Sequence, residues 1–285
     1  MSVSLHSLTA LVGVDHAVLR VRDLDAAEAL WRRLGFTLTP RGFHTGRGSA
    51  NHTTPFAAGD YLELLHIPDG ADTTPYGEKP VGPLAVALRA RDGQALHDEI
   101  VDRGFTFAPP RPLARPVTVD GTEHAARFLT VPMPQVGIGE LSIFACQHFT
   151  PELVWRPEWQ AHANGVTGLA GLLAVAADLG SLAAAYASLF GDDAVTATAD
   201  GLAVALGRGR LSILTPEAFA ARFPGLDIPG DAEAGVFAGV TLTADLARAE
   251  AAFAAAGARV QTPAPGRLVL APEETAGALL EIVAA

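Results

Sequence analysis

An apolar run ending at an aspartate, with a glycine twelve residues further on, occurs twice in the first part of this chain. Val12-Gly13 leads to Asp23 (VGVDHAVLRVRD) with Gly35-Phe36 following, and Val81-Gly82 leads to Asp92 (VGPLAVALRARD) with Gly104-Phe105 following, 69 residues later. An aspartate at that place accepts the free N–H groups of a helix start, and a glycine closes the helix end. Each copy therefore predicts a strand, a cap, about three turns of helix and a stop. The pattern recurs in Ala-rich form over residues 172–178, with Gly191, and 236–245, with Gly257. After each helix the chain predicts three short strands, at 36–40, 50–57 and 61–67 in the first unit and 105–107, 125–131 and 141–146 in the second. Each unit is thus βαβββ, and its single helix cannot cover the apolar sheet, so units should pair and curl around a shared cleft. The expected fold class is α+β, with four modules in two tandem domains, 1–149 and 166–285. Residues 150–165 join them as an ordered connector carrying Trp155 and Trp159.

Composition narrows the chemistry. Of 285 residues 49% are hydrophobic and 18% charged, enough for a sizeable core. A net charge of −11 disfavours nucleic acid, whose phosphates call for clustered Lys and Arg. Lys79 is the only lysine, which sets Schiff-base chemistry aside, and the single cysteine, Cys146, permits no internal disulfide. The apolar N-terminal run is broken by Asp15, His16 and Arg20, so neither a signal peptide nor a membrane span is expected, and the default location is cytoplasmic. Eight of nine histidines lie in the first 150 residues, which places the expected function there.

With His16 directly after an aspartate on the first strand and Tyr61-Leu62-Glu63-Leu64 on the fourth, the chain resembles the vicinal oxygen chelate superfamily. Glyoxalase I, extradiol dioxygenases and bleomycin-resistance proteins belong to it. The run Phe43-His44-Thr45-Gly46-Arg47-Gly48-Ser49-Ala50-Asn51 looks most like the glyoxalase-like branch, whose unit carries a similar His-x-Gly-x-Gly-[Ser/Thr]-Ala-Asn stretch. The resemblance implies a metal held by the first and fourth strands of paired units. On first strands that position is His16, Ala85, Gly171 and Ala238. On fourth strands it is Glu63 and Glu281, with Ser142 and Ser212 in units two and three. The C-terminal half then offers one carboxylate, too little for an ion, and is expected to cover the cleft, stabilise it or form a homodimer surface.

In the N-terminal half, an imidazole and a carboxylate suit a divalent Zn, Fe, Mn or Ni. The expected metal ligands are His16, Glu63 and His148, the last because alternation puts Ser142, Phe144, Cys146 and His148 on one face. Glu63 or His148 would move the proton while the metal, as a Lewis acid, stabilises charge on a small substrate with vicinal oxygens. His44, Asn51, His52 and Ser142 are expected to touch that substrate. Each has a structural alternative: His16 as a core histidine, Glu63 in a salt bridge, His148 capping strand-end carbonyls, and Asn51-His52 as turn chemistry. A metal-free protein that sequesters a small molecule, as in the bleomycin-resistance branch, is the competing function. The Gly46-Arg47-Gly48-Ser49 run lacks the third glycine and following helix of a phosphate loop. No Gly-x-Ser-x-Gly elbow is present, and the Cys146/His148 pair lacks an orienting third group.

Overall fold

A computed structural model describes residues 5–44, 48–68, 80–139 and 141–285. Thr45, Gly46 and Arg47 of the glycine-rich run, and Lys79, lie outside the described residues. The first sheet holds β1 (Leu11–Arg20), β2 (Gly42–Phe43), β3 (Ala50–Pro55), β4 (Tyr61–His66), β5 (Gly82–Ala90), β6 (Arg111–Val119), β7 (Thr122–Pro132) and β8 (Ser142–His148). Their order is β2-β3-β4-β1-β5-β8-β7-β6. β1 runs parallel to β4 and β5 to β8, with helices α1 (Leu24–Arg33) and α2 (Gly93–Asp102) following β1 and β5, which meet antiparallel at the centre.

The second sheet repeats this topology strand for strand. β9 (Val166–Val175), β10 (Val195–Thr198), β11 (Gly201–Ala205), β12 (Arg210–Leu214), β13 (Val236–Ala244), β14 (Val260–Ala264), β15 (Arg267–Leu270) and β16 (Leu279–Ala284) stand in the order β10-β11-β12-β9-β13-β16-β15-β14. Helices α3 (Leu179–Phe190) and α5 (Leu246–Ala255) take the places of α1 and α2, and α4 (Pro216–Arg222) is an addition after β12. The fold is α+β, four βαβββ units in two curled sheets.

All four predicted caps form. Asp23 accepts from the amides of Asp25 and Ala26, Asp92 from Gln94 and Ala95, Asp178 from Ser181, and Asp245 from Ala247 and Arg248. Gly35 (φ 84°) and Gly104 (φ 92°) leave the first two helices in the left-handed region that glycine enters without a Cβ penalty. Two predicted strands are absent. Residues 36–40 are apolar because Phe36 and Leu38 pack into the core, Phe36 with its ring 4.7 Å from Trp31, and the ladder partner of β3 is supplied instead by β2. Residues 105–107 likewise lie against the core through Phe105 and Phe107. The pairing role passes to the long β6–β7 hairpin, turned by Asp120-Gly121, both at positive φ as a two-residue hairpin turn requires.

Alternation sorts the first sheet into two faces. Leu62 and Leu64 of β4, with Ala17 and Leu19 of β1, face the core that includes Trp31 and Leu96 of the helices. Tyr61, Glu63 and Leu65 project the other way, and Val18, Leu65, Ala85 and Phe144 cluster on that inner face. Edge strands β2 and β6 approach each other, so the inner face becomes a cup. The connector seals part of it: Val154 packs on Tyr61, Ala126 and Phe128, and the Trp155 indole donates to the Asp60 carbonyl at 3.3 Å. No helix among the described residues is long and apolar enough to cross a membrane.

Asp60 joins the two halves by accepting the Leu169 amide at 2.9 Å. Burial pushes its carboxyl up to about 6, against the opposing pull of that bond and of Arg208 and Arg89. A raised carboxyl binds its proton more tightly folded than unfolded, so its ionised form subtracts stability as pH rises from about 4 to 6, and the full subtraction holds above 6. A two-unit shift corresponds to at most ~3 kcal/mol. Asp60→Asn keeps the acceptor without the charge. It is expected to melt higher than the parent at pH 8 and to lose that advantage by pH 4, measured as thermal midpoints across that range. An equal difference at both pH values would mean that Asp60 is not buried as an ion.

Candidate functional site

A β-bulge builds the site. The β1–β5 register shifts between Val14 and His16. A bulge re-aims side chains, and here it lets the neighbours Asp15 and His16 share the inner face. His16 Nδ1 lies 2.8 Å from Asp15 Oδ1, which makes Nδ1 the donor and turns the Nε2 lone pair toward Glu63, whose Oε2 is 3.8 Å away. The ring stacks on Tyr61 (centroids 4.2 Å apart, planes 13° apart) and meets the edge of Phe144. Asn51 Nδ2 donates to Glu63 Oε1 at 2.6 Å, and His44 Nε2 stands 3.7 Å from the same oxygen, with its Nδ1 3.0 Å from Ser49 Oγ.

Behind this pair sits Asp15, fully buried. Arg89 Nε donates to its Oδ2 at 2.8 Å and His148 Nε2 stands 3.0 Å from the same atom. Burial alone would raise this carboxyl, but the hydrogen bonds and charges of His148 and His16 outweigh it and hold Asp15 well below the usual carboxylate range. Arg89 also lies 4.3 Å over the Trp155 ring. Burial, with the charges of Asp15 and Glu63, pushes the Cys146 thiol and the Tyr61 hydroxyl well up. Cys146 is therefore an inert packed thiol.

The structure thus brings together His16, Glu63, Asn51 and His44, and separates three other expected residues from them. His148 shares their face, yet its Nε2 is committed to Asp15, its ring is flanked by Phe128 and Trp155, and its Nδ1 is buried without a hydrogen-bond partner. His52 points to the opposite face, its Nδ1 2.8 Å from the Thr39 carbonyl and its Nε2 3.2 Å from Glu28 Oε2 of α1; adjacent strand residues face opposite ways. Ser142 is not the counterpart of Glu63. Glu63 is the parallel partner of Val18, whose equivalent 69 residues on, Ala87, pairs with Phe144, whereas Ser142 pairs with Ala85 and corresponds to Tyr61.

The places implied for further ligands are therefore Ala85 and Phe144, and among the described residues no group of three His, Cys, Asp or Glu stands as metal ligands would. The pair that remains still suits a cation. Two hydrogen-bond acceptors, an imidazole lone pair and a carboxylate, face each other at 3.8 Å with no donor of their own between them, and a carboxylate sets the imidazole from behind as ligating histidines commonly require. Such a pair would give an ion two protein atoms and leave the rest of its shell to water or substrate.

In the second sheet Glu281 pairs with Thr241 on the matching strands, and its carboxylate is closed off internally. Arg222 of α4 binds it with three hydrogen bonds of 2.6–3.0 Å, Arg267 Nε lies 3.1 Å away, and the Thr241 hydroxyl donates at 2.7 Å. Phe219 and Phe223 fill the same face.

Asp15, Arg89 and Tyr61 were outside the expected set. Strict alternation assigns Asp15 to the face opposite His16, and only the bulge, a pairing feature, overrides that.

No curated protein matches the chain. A hypothetical protein from Staphylococcus aureus has a similar structure, at TM-score 0.65 and 11% identity over 95% of this chain and 99% of that one. So does a mutant 4-hydroxymandelate synthase from Streptomyces coelicolor, at TM-score 0.57 and 14% identity over 97% and 93%. The Mn(II)-bound glyoxalase from Novosphingobium aromaticivorans follows at TM-score 0.53 and 11% identity over 99% and 83%. At these identities the likeness speaks for the fold. The family model described as the glyoxalase-like domain matches residues 14–190, from β1 through α3. The chain belongs to this glyoxalase-like domain family, within the vicinal oxygen chelate superfamily.

Proposed function

We propose that the protein is a metal-assisted enzyme acting on a small substrate with adjacent oxygens, and that His16 and Glu63 hold the ion. The observation that carries this reading is the His16 Nε2 lone pair, set by Asp15, facing Glu63 Oε2 at 3.8 Å on a largely buried face. Bound there, a divalent ion supplies Lewis acidity toward two substrate oxygens. The chain's own residues do the rest. Asn51 fixes the Glu63 carboxylate. Glu63 is the group placed to take a substrate proton, and His44, 3.7 Å from its Oε1 with a quarter of its side chain exposed, connects it to solvent. Phe144 and Tyr61 exclude water around the imidazole. His148 enters as a partner of Asp15, not as a ligand or proton carrier. The Mn(II)-bound glyoxalase among the similar structures agrees with this reading.

A metal-free small-molecule binding protein is the second reading, favoured by the apolar Ala85 and Phe144 at the other two positions of the cup. Metal exchange separates the two. After removal of bound ions, titration with Mn, Fe, Zn and Ni salts followed by elemental analysis is expected to give one ion per chain. Affinity should fall more than tenfold in His16→Ala and in Glu63→Gln, while His148→Ala keeps the stoichiometry. No binding above background would leave the metal-free reading.

A further inference from the structure

The cup contains a cation that the site above does not use. Arg115, on β6, is half-buried at the mouth of the cup, its guanidinium 6.0 Å over the Phe128 ring, and among the described residues it forms no ion pair with a carboxylate. It lines a cavity of about 220 Å³, bounded also by Thr39, Gly42, Phe43, Thr53 and Trp159. Two other charged groups line this cavity. Arg41 is engaged by Asp25 and Glu28, and Glu123 is exposed on the β6–β7 hairpin. Among the described residues Arg115 is thus the one cation of this lining outside an ion pair, and Glu123 puts a carboxylate at the exposed rim.

Gly42 lets that charge approach Asn51. A Cβ at Gly42 would lie 2.4 Å from Asn51 Oδ1 and 3.3 Å from Arg115 Nη1. The guanidinium therefore comes down beside the amide that holds Glu63, and any larger residue at 42 would push into both. Its charge also reaches Tyr61, on which the His16 ring is stacked. A half-buried guanidinium without a counter-charge, set over an aromatic face, recognises a planar oxyanion through two parallel N–H bonds. The surrounding Phe43, Val117, Val154 and Trp159 suit an apolar body attached to that anion.

We infer that the substrate is a small carboxylate with an apolar body, its carboxylate seated on Arg115 and its remaining oxygens directed past Asn51 to the His16–Glu63 pair. This rests on the proposed function for the second contact only. The first is a property of Arg115 and is tested without metal. Benzoate and benzamide have the same shape and differ in charge, so they serve as probes, followed by calorimetry and by Trp fluorescence on metal-free and metal-loaded protein.

Benzoate is expected to bind saturably and at least tenfold more tightly than benzamide, with weakening as salt rises. Arg115→Gln should reduce benzoate to the benzamide level, and Arg115→Lys should retain part of the difference, with melting temperature and metal content unchanged in both. Gly42→Ala should also weaken benzoate, and a variant that does not fold is recognised by its melt. If benzoate does not bind, binds no better than benzamide, or binds Arg115→Gln as tightly as the parent, the inference is overturned. If Arg115-dependent binding persists in a protein that takes up no metal, the carboxylate seat stands and the metal-assisted reading falls.

Discussion

Arg222→Leu is expected to lower stability by about 3 kcal/mol, because breaking a buried ion pair from one side strands the other charge. Glu281 is fully buried, and three of the hydrogen bonds to its carboxylate come from Arg222; Arg267 and Thr241 would remain. For a chain of this size that is roughly a 6–12 °C lower melting temperature. The double variant Arg222→Leu with Glu281→Leu should recover most of the loss, since replacing both partners of a buried pair by apolar groups is often close to neutral. Metal titration of both variants should match the parent, because their charges serve the packing of the second sheet. A single variant as stable as the parent would show Glu281 to be neutral or solvated. A loss of metal binding in the double variant would move the candidate site into the C-terminal half.

How far the fold could be read from residues alone follows from how local each signal is. The four aspartate caps and their strands obey short-range rules, an acceptor for free amides and a positive-φ stop, and all four formed. The inner and outer faces of β4 followed alternation: Leu62 and Leu64 went to the core, Glu63 to the cup. His52 obeys the same rule: one residue on from Asn51, it faces the other side of β3, toward the Thr39 carbonyl and Glu28. Three features depended on pairing and were not legible. The bulge that turns Asp15 toward His16 is a property of the β1–β5 register. Phe144 replaces Ser142 as the counterpart of Glu63 only once the β5–β8 register is known. Arg222 and Glu281 meet across 59 residues through a helix that the repeat does not contain. Arg115 belongs to β6, at residues where the sequence predicts no strand, so its place over the cup follows only from the β6–β7 hairpin.

Asp15→Asn carries the largest expected effect on the site itself. Asp15 receives Arg89, His16 and His148 at 2.8–3.1 Å in full burial. Asparagine keeps the shape, replaces one acceptor oxygen by a donor and removes the charge that three donors share. The stability cost is expected to be about 2–3 kcal/mol, below the usual range for a broken buried pair. The lower figure applies because Arg89 keeps a fifth of its side chain in solvent and its stacking on Trp155. The greater consequence concerns the His16 tautomer. With the amide N–H₂ facing Nδ1, the imidazole is driven to carry its proton on Nε2, where it points at Glu63 Oε2 and occupies the gap with a hydrogen. Loss of an outer carboxylate of this kind costs typically ~10–100-fold in metal affinity. Titration should show that drop at unchanged stoichiometry, with Glu63→Gln losing affinity through the ligand itself and melting close to the parent. An Asp15→Asn protein that is folded and binds metal as tightly as the parent would mean that Asp15 does not set the imidazole. The ring would then be set by its stacking on Tyr61 and the edge of Phe144 alone, and His16→Ala would tell whether it holds the ion at all.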